Sequence, residues 1–192
     1  MILDDQLLAL INGAAGRWPM LDALMRLLVN DYFVPTTLLL LLVSVWFEGA
    51  GEEQQKANRR LVLRVVLALL VVNALAKLAN LLYFRPRPFS VAEVHLLFYR
   101  PSDSSFPSNP AAVAFVFAAV IGRDHPRLGL LMASLASLFS IARVYAGVHY
   151  PLDVLAGILF ALAAHQLSLR LEERLEPIYR GLLRLTERLH AT

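Results

Sequence analysis

The stretch YFVPTTLLLLLVSVWF, Tyr32 to Phe47, carries no charged residue and decides what kind of chain this is. A helix on the surface of a soluble domain would show a polar stripe at the 3.6-residue period, and this run shows none. Four more uncharged runs follow: Val65–Leu75, Phe106–Gly122, Leu128–Ala142 and Val154–Leu169. The second extends to Phe84 if Lys77 is tolerated. A bilayer core requires about 20 helical residues, with about 17 as the lower limit. Runs slightly short of that borrow flanking residues whose charged ends snorkel. With 58% hydrophobic and 17% charged residues in 192, the chain reads as an all-α integral membrane helical bundle. About five transmembrane helices are expected, with interfacial helices at the N- and C-terminal ends.

Composition also excludes chemistry. There is no cysteine, hence no disulfide and no thiolate or thiolate–metal site. The net charge of +3 comes from arginines scattered over loops and tail, which argues against a nucleic-acid partner. The first residues, MILDDQLLALINGAAG, are acidic where a signal peptide is basic, so the segment is expected to be retained. Ile2, Leu3, Leu7, Leu8, Leu10 and Ile11 suit a short amphipathic helix lying at the interface.

One domain, 1–192, is expected, without internal repeats. Residues 1–30 form interfacial helices broken at Gly13, Gly16 and Pro19; 31–170 form the transmembrane bundle; 171–192 form a surface helix interrupted by Pro177. RPRP, at 85–88, ends the second span because proline cannot continue it. Counting crossings puts loop 85–107 and the turn 146–153 on one face. The other face receives Lys56, Arg59, Arg60, Arg123, Arg127, Arg170, Arg174, Arg180, Arg184 and Arg188. That bias predicts a cytoplasmic tail and both motif loops facing outward across the membrane.

Three segments converge on the outward face. NLLYFRPRPF supplies Arg85 and Arg87; FPSNPAA supplies Ser108 and Asn109 as helix caps, with Pro110 in the first turn. ARVYAGVHYPLD supplies Arg143, His149 and Asp153. Guanidiniums and a helix N-terminus bind phosphate oxygens and stabilise developing charge. A histidine held by a carboxylate can attack phosphorus, and the spacing of four lets His149 and Asp153 meet if the turn runs into a helix.

ARVYAGVHYPLD resembles the third signature of the type 2 phosphatidic acid phosphatases. PRPF resembles the end of their first signature, and FPSNPA their second. The stretch INGAAGRWPMLDALM is also similar to the bacterial undecaprenyl-diphosphatase branch. The resemblance implies a metal-free, cofactor-free phosphatase acting on a lipid phosphate or diphosphate in the membrane. It makes His149 the phosphorylated nucleophile, Asp153 its partner, and Arg87, Arg143 and Ser108 the phosphate clamp. Arg85 is divided between that clamp and a headgroup anchor.

Three positions depart from the family pattern. The first-signature lysine position is Asn80, with Lys77 one turn earlier on the same helical face, able to reach the phosphate or to anchor lipid. The serine before Arg143 is Ala142. Pro110 stands where the second signature carries its general-acid histidine. Proline donates no proton, so the leaving group must manage without one unless His95 or Asp103 substitutes. An alkoxide leaving group has a conjugate acid of pKa roughly 16; a phosphate ester has one of roughly 6. The chain is therefore expected to cleave a prenyl diphosphate. A lipid phosphotransferase and a non-turning-over lipid-phosphate binder or transporter are the alternatives. His125, His165 and His190, on the other side or in the tail, read as structural.

Overall fold

The computed structural model describes residues 2–182. Every regular element among them is helical: α1 (Ile2–Asn12), α2 (Pro19–Val29), α3 (Phe33–Phe47), α4 (Glu52–Leu82), α5 (Pro88–Val91), α6 (Asn109–Asp124), α7 (Pro126–Tyr145) and α8 (Pro151–Arg174). Arg184, Arg188 and His190, placed by the sequence on the tail, lie outside the described residues.

Prolines set many of the starts. Pro19, Pro88, Pro110, Pro126 and Pro151 each sit in the first turn of a helix, where the missing N–H is not needed. α4, with 31 residues, is about 46 Å long and exceeds a hydrocarbon core of about 30 Å, so its polar start projects from the apolar zone.

The bundle is inside-out relative to a soluble one. Leu39, Leu40, Leu70, Leu78, Leu81, Leu130, Leu155, Leu159 and Leu162 are exposed, as lipid-facing side chains are. The interior is filled by smaller or branched residues: Val34, Leu38, Val65, Ala68, Val72, Ala112, Val116, Val120, Ala136 and Ala161. α6 is the central element and packs on α3, α4, α7 and α8. Its 16 residues are buried on most sides, which explains a run apolar all round without a lipid face.

Three helices, α4, α7 and α8, are long and apolar enough to cross a membrane. Among the described residues the pair α2–α3, bent by 52° at its break, makes a fourth if the two are taken as one broken span. α6 falls short by its own length. α8 runs on through Arg170, where the sequence ends the last span, because Glu172 is buried against Arg60 and Arg64 of α4. Helical geometry resumes after Leu175, at 176–182.

α1 does not lie free at the interface. Asp4, Leu8 and Asn12, one turn apart, are its buried face, packed on α7 and α8, while Leu3, Leu7 and Leu10 point outward. Asn12 fixes the long loop to the end of α7: its Nδ2 donates to the carbonyls of Tyr145 (2.7 Å) and His95 (2.9 Å), and its Oδ1 accepts from the His95 N–H.

Two close approaches need glycine. A Cβ on Gly129 would stand 2.2 Å from Gly122 Cα, where α6 turns into α7. A Cβ on Gly157 would stand 2.6 Å from the Ser108 carbonyl and 3.1 Å from the Ala112 nitrogen, so α8 sits directly against the head of α6. Gly157→Ala is expected to lower the thermal midpoint of the detergent-purified protein, by a loss on the order of 1–3 kcal/mol typical of overpacking. An unchanged midpoint would show that α6 and α8 are not in backbone contact.

Candidate active site

At one end of the bundle, α4, α6, α7 and α8 enclose a cluster of buried polar groups. RPRP directs the chain off α4 into extended geometry, which carries Arg85 and Arg87 inward rather than onward along the helix axis. At the other side, Tyr150 and Asp153 close a capping box: the Asp153 side chain accepts from the Tyr150 N–H (2.9 Å) and so starts α8.

His149 is 1% exposed. Its Nδ1 lies 2.9 Å from the Ser105 carbonyl, an acceptor only, so Nδ1 carries the proton. Nε2 is left with its lone pair, 3.1 Å from Arg87 Nη1. Asp153 Oδ2 lies 3.9 Å from Nδ1, too far for a hydrogen bond. The spacing of four thus brings Asp153 to ion-pair distance of the ring without a direct hydrogen bond. His149 precedes the helix, and the carboxylate folds back to cap it. The Ser105 carbonyl sets the tautomer, and Asp153 acts on the ring through space.

Asp153, wholly buried, has other partners. Oδ1 accepts from Arg85 Nη1 at 2.7 Å, and Oδ2 from the Ser105 hydroxyl. Its carbonyl accepts the Ser108 N–H at 2.9 Å, tying the head of α6 to α8.

Arg87 is buried and fans across the cluster. Nη1 donates to the Val148 carbonyl (2.8 Å), Nε to the Asp103 carbonyl (3.1 Å) and Nη2 to the Asp103 carboxylate (2.8 Å). Arg143 lies between the rings of Phe98 (4.9 Å) and Phe139 (5.2 Å). It donates to the Val29 carbonyl (3.1 Å) and to Asp31 (3.0 Å), and its Nε is buried without a partner. Ser108 Oγ, also buried, has no partner at the head of α6.

The other candidates lie apart. Both terminal nitrogens of Arg85 are occupied by buried carboxylates, Asp153 and Asp4, and its guanidinium lies 3.8 Å from the Tyr150 ring centroid. Asn109 donates to Asn73 of α4 at 3.3 Å rather than turning to His149. Asn80 is half-buried with Oδ1 unpartnered, and Lys77 is exposed on α4 on the side that carries Leu81. Of the two proposed substitute acids, His95 lies with its ring 3.6 Å from the Cβ position of Gly16, while Asp103 is on Arg87.

Sequence reasoning missed Asp4, Asp31 and Ser105. Asp31 left one signal, an acid at the threshold of the first span. Asp4 left another, a charge in register with Leu8 and Asn12. Ser105 left none beyond its place in a serine-rich loop.

A groove of about 180 Å³ is lined by Asp31, the partner of Arg143, and by Asn109. Pro110, Val113, Phe117, Leu38 and Phe139 line the rest. Proline at 110 thus gives this wall an apolar ring where the resemblance expects an imidazole.

Residues 61–176 match the PAP2 superfamily. The undecaprenyl-diphosphatase BcrC of Bacillus subtilis is 28% identical over 177 residues, covering 92% of this chain and 88% of the relative. The bacitracin transport permease protein BcrC of Bacillus licheniformis is 31% identical, covering 79% and 72%. Among solved structures, LpxE of Aquifex aeolicus superposes with a TM-score of 0.65 at 30% identity, over 88% of this chain and 95% of that one. The fold and the cluster around His149 define a multi-pass membrane phosphatase. The chain belongs to the PAP2 superfamily.

Burial, with the charges of Arg87 and Arg143 adding to it and Asp153 opposing, pushes the His149 imidazole down to about 4. Because the folded value lies below the unfolded one of about 6.5, the unfolded state binds the proton more readily between them. Stability is therefore full above about pH 6.5 and declines as pH falls toward 4, by a few kcal/mol in order of magnitude. The thermal midpoint measured from pH 7 to pH 4 is expected to show this decline, and His149→Gln to flatten it. An equally steep decline in the variant would assign the acid lability to other groups.

Proposed function

We propose that this chain hydrolyses a prenyl diphosphate, undecaprenyl diphosphate being the natural case, to the lipid monophosphate through a phosphohistidine. The observation that carries the reading is the His149 ring, neutral, protonated on Nδ1, with the Nε2 lone pair directed to the Arg87 guanidinium. The name of the Bacillus subtilis relative, undecaprenyl-diphosphatase, supports the substrate class.

In the first step Nε2 attacks the terminal phosphorus. A P–N bond forms, and the P–O bond to the bridging oxygen breaks. The lipid monophosphate departs as an anion whose conjugate acid has a pKa of roughly 6, so the reaction proceeds at neutral pH without a general acid at position 110. Arg87 and Arg143 take the non-bridging oxygens, exchanging Asp103 and Asp31 for phosphate, and Ser108 Oγ supplies a further hydrogen bond. Positive charge arising on the ring is met by the Ser105 carbonyl at Nδ1 and by Asp153 nearby. Water then attacks the phosphohistidine, releasing inorganic phosphate and restoring Nε2.

The groove past Pro110 receives the first part of the lipid chain, continuous with the membrane interior. Lys56, Arg59, Arg60, Arg123, Arg127, Arg170, Arg174 and Arg180 at the opposite end support an outward-facing site in the bacterial plasma membrane.

Phosphate release from undecaprenyl diphosphate is expected to exceed that from phosphatidic acid, and His149→Ala to lower it by about 1,000-fold or more. Faster release from phosphatidic acid would overturn the diphosphate assignment. Mass spectrometry with lipid A present is expected to show no phosphorylated acceptor; an acceptor product would make the protein a phosphotransferase. Val113→Trp, which fills the groove, is expected to raise KM for the long prenyl substrate several-fold while leaving a water-soluble short-chain diphosphate little affected. An equal rise for both would remove the groove from the lipid path.

A further inference from the structure

We infer that Asp4, on the N-terminal helix, is a positioning residue for phosphoryl transfer: it orients Arg85, and Arg85 orients Asp153. This rests on the reading of His149 as nucleophile given above.

Asp4 is 1% exposed, and both its oxygens are engaged. Oδ2 accepts from Arg85 Nη2 at 2.6 Å, and Oδ1 from the Leu152 N–H at 2.9 Å. Arg85 Nη1 donates in turn to Asp153 Oδ1 at 2.7 Å. Asp153 Oδ2 takes the Ser105 hydroxyl, and the Ser105 carbonyl takes Nδ1 of His149 at 2.9 Å. A continuous run of hydrogen bonds thus leads from α1 to the nucleophile.

Docking α1 does not require this charge. Leu8 packs with Val144 and Tyr150, and Asn12 holds the loop and the end of α7. A buried carboxylate is costly unless paired, and seating a helix does not call for one. The charge of Asp4 acts on the geometry of Arg85. With one carboxylate alone, the guanidinium would turn both terminal nitrogens onto Asp153 in the bidentate fork that Arg and carboxylate favour. The second carboxylate pulls from the far side, and the Tyr150 ring, 3.8 Å from the guanidinium carbon, fixes the plane. Asp153 then keeps Oδ2 for Ser105 and for the Tyr150 N–H. Arg85 is accordingly a positioning residue too, its terminal nitrogens unavailable to substrate.

The test is Asp4→Asn in the full chain, which keeps an acceptor for the Leu152 N–H while removing the charge. Rates of phosphate release from a prenyl diphosphate are divided by active sites counted from the phosphoenzyme burst, so loss of folded protein does not enter. Expected are a kcat lower by about tenfold, the scale of a small misplacement at the reacting centre, and a KM within about twofold. In an Arg85→Gln background, Asp4→Asn is expected to add no further loss, because Asp4 acts only through Arg85. An unchanged kcat per site, or a fully additive loss, would overturn the inference. Should Asp4→Asn fail to fold, Arg85→Lys keeps the charge but cannot span both carboxylates, and the same fall in kcat is expected; no fall overturns the inference. His149→Ala separates the two levels. If it remains active, the nucleophile assignment fails. If it is inactive while Asp4→Asn is like wild type, only the role of Asp4 fails.

Discussion

The carboxylate of Asp153, sealed from solvent in the first turn of α8, is the constraint around which one end of the molecule is built. Four groups from three segments meet on this one residue. Arg85 reaches it from the loop after α4, the Ser105 hydroxyl from the loop before α6, the Tyr150 N–H from the turn after α7, and the Ser108 N–H its carbonyl. A charge buried so completely is tolerable only while every partner is present. The same requirement that stabilises the anion therefore fixes the relative positions of the ends of α4, α6, α7 and α8. Gly157, one turn further along α8, removes the side chain that would otherwise keep α6 away.

The two ends of the bundle solve a common problem differently. Between them the interior is small and apolar, and lipid-facing leucines contribute little to holding helices together, since lipid is as apolar as they are. Polar pairs at the ends supply specificity. At the end opposite the site, Glu172 of α8 receives Arg60 and Arg64 of α4, and Glu176 receives Arg60 again. That network touches no group of the His149 cluster. It fastens α4 to α8 at one end, and Asp153 with Arg85 fastens the same region at the other.

The apolar helices were legible because the bilayer imposes hydropathy on a sequence with little freedom to disguise it, whereas the number of crossings was not, since α6 is apolar by burial in the bundle and short of a span. The signature residues were legible because their spacing is tied to a proline-started helix. What escaped was the wiring. Spacing of four brings His149 and Asp153 within ion-pair distance, but His149 stands just before the helix, and the Ser105 carbonyl rather than the carboxylate takes the ring N–H. The helical periodicity of α1 marked an amphipathic helix, yet Asp4 and Asn12 join Leu8 on the face against the protein while Leu3, Leu7 and Leu10 face out, as a membrane environment favours. Asp31 and Ser105 act through partners far along the chain, and no local pattern encodes such pairings.

Exposure separates the arginines by role. The carboxylates on Arg85 are fully buried, so an incoming phosphate could displace them only at the cost of stranding an anion in the interior. Those on Arg87 and Arg143 are not: the side chains of Asp103 and Asp31 are 65% and 36% exposed. Pairs of that kind contribute little and are readily exchanged. Without substrate, Asp103 and Asp31 stand where phosphate oxygens would stand, keeping two buried guanidiniums paired. When a doubly charged headgroup arrives, these two aspartates can swing toward water while Asp4 and Asp153 stay. On the proposed reading, the site is thus preorganised by acids that cannot leave and kept empty by acids that can.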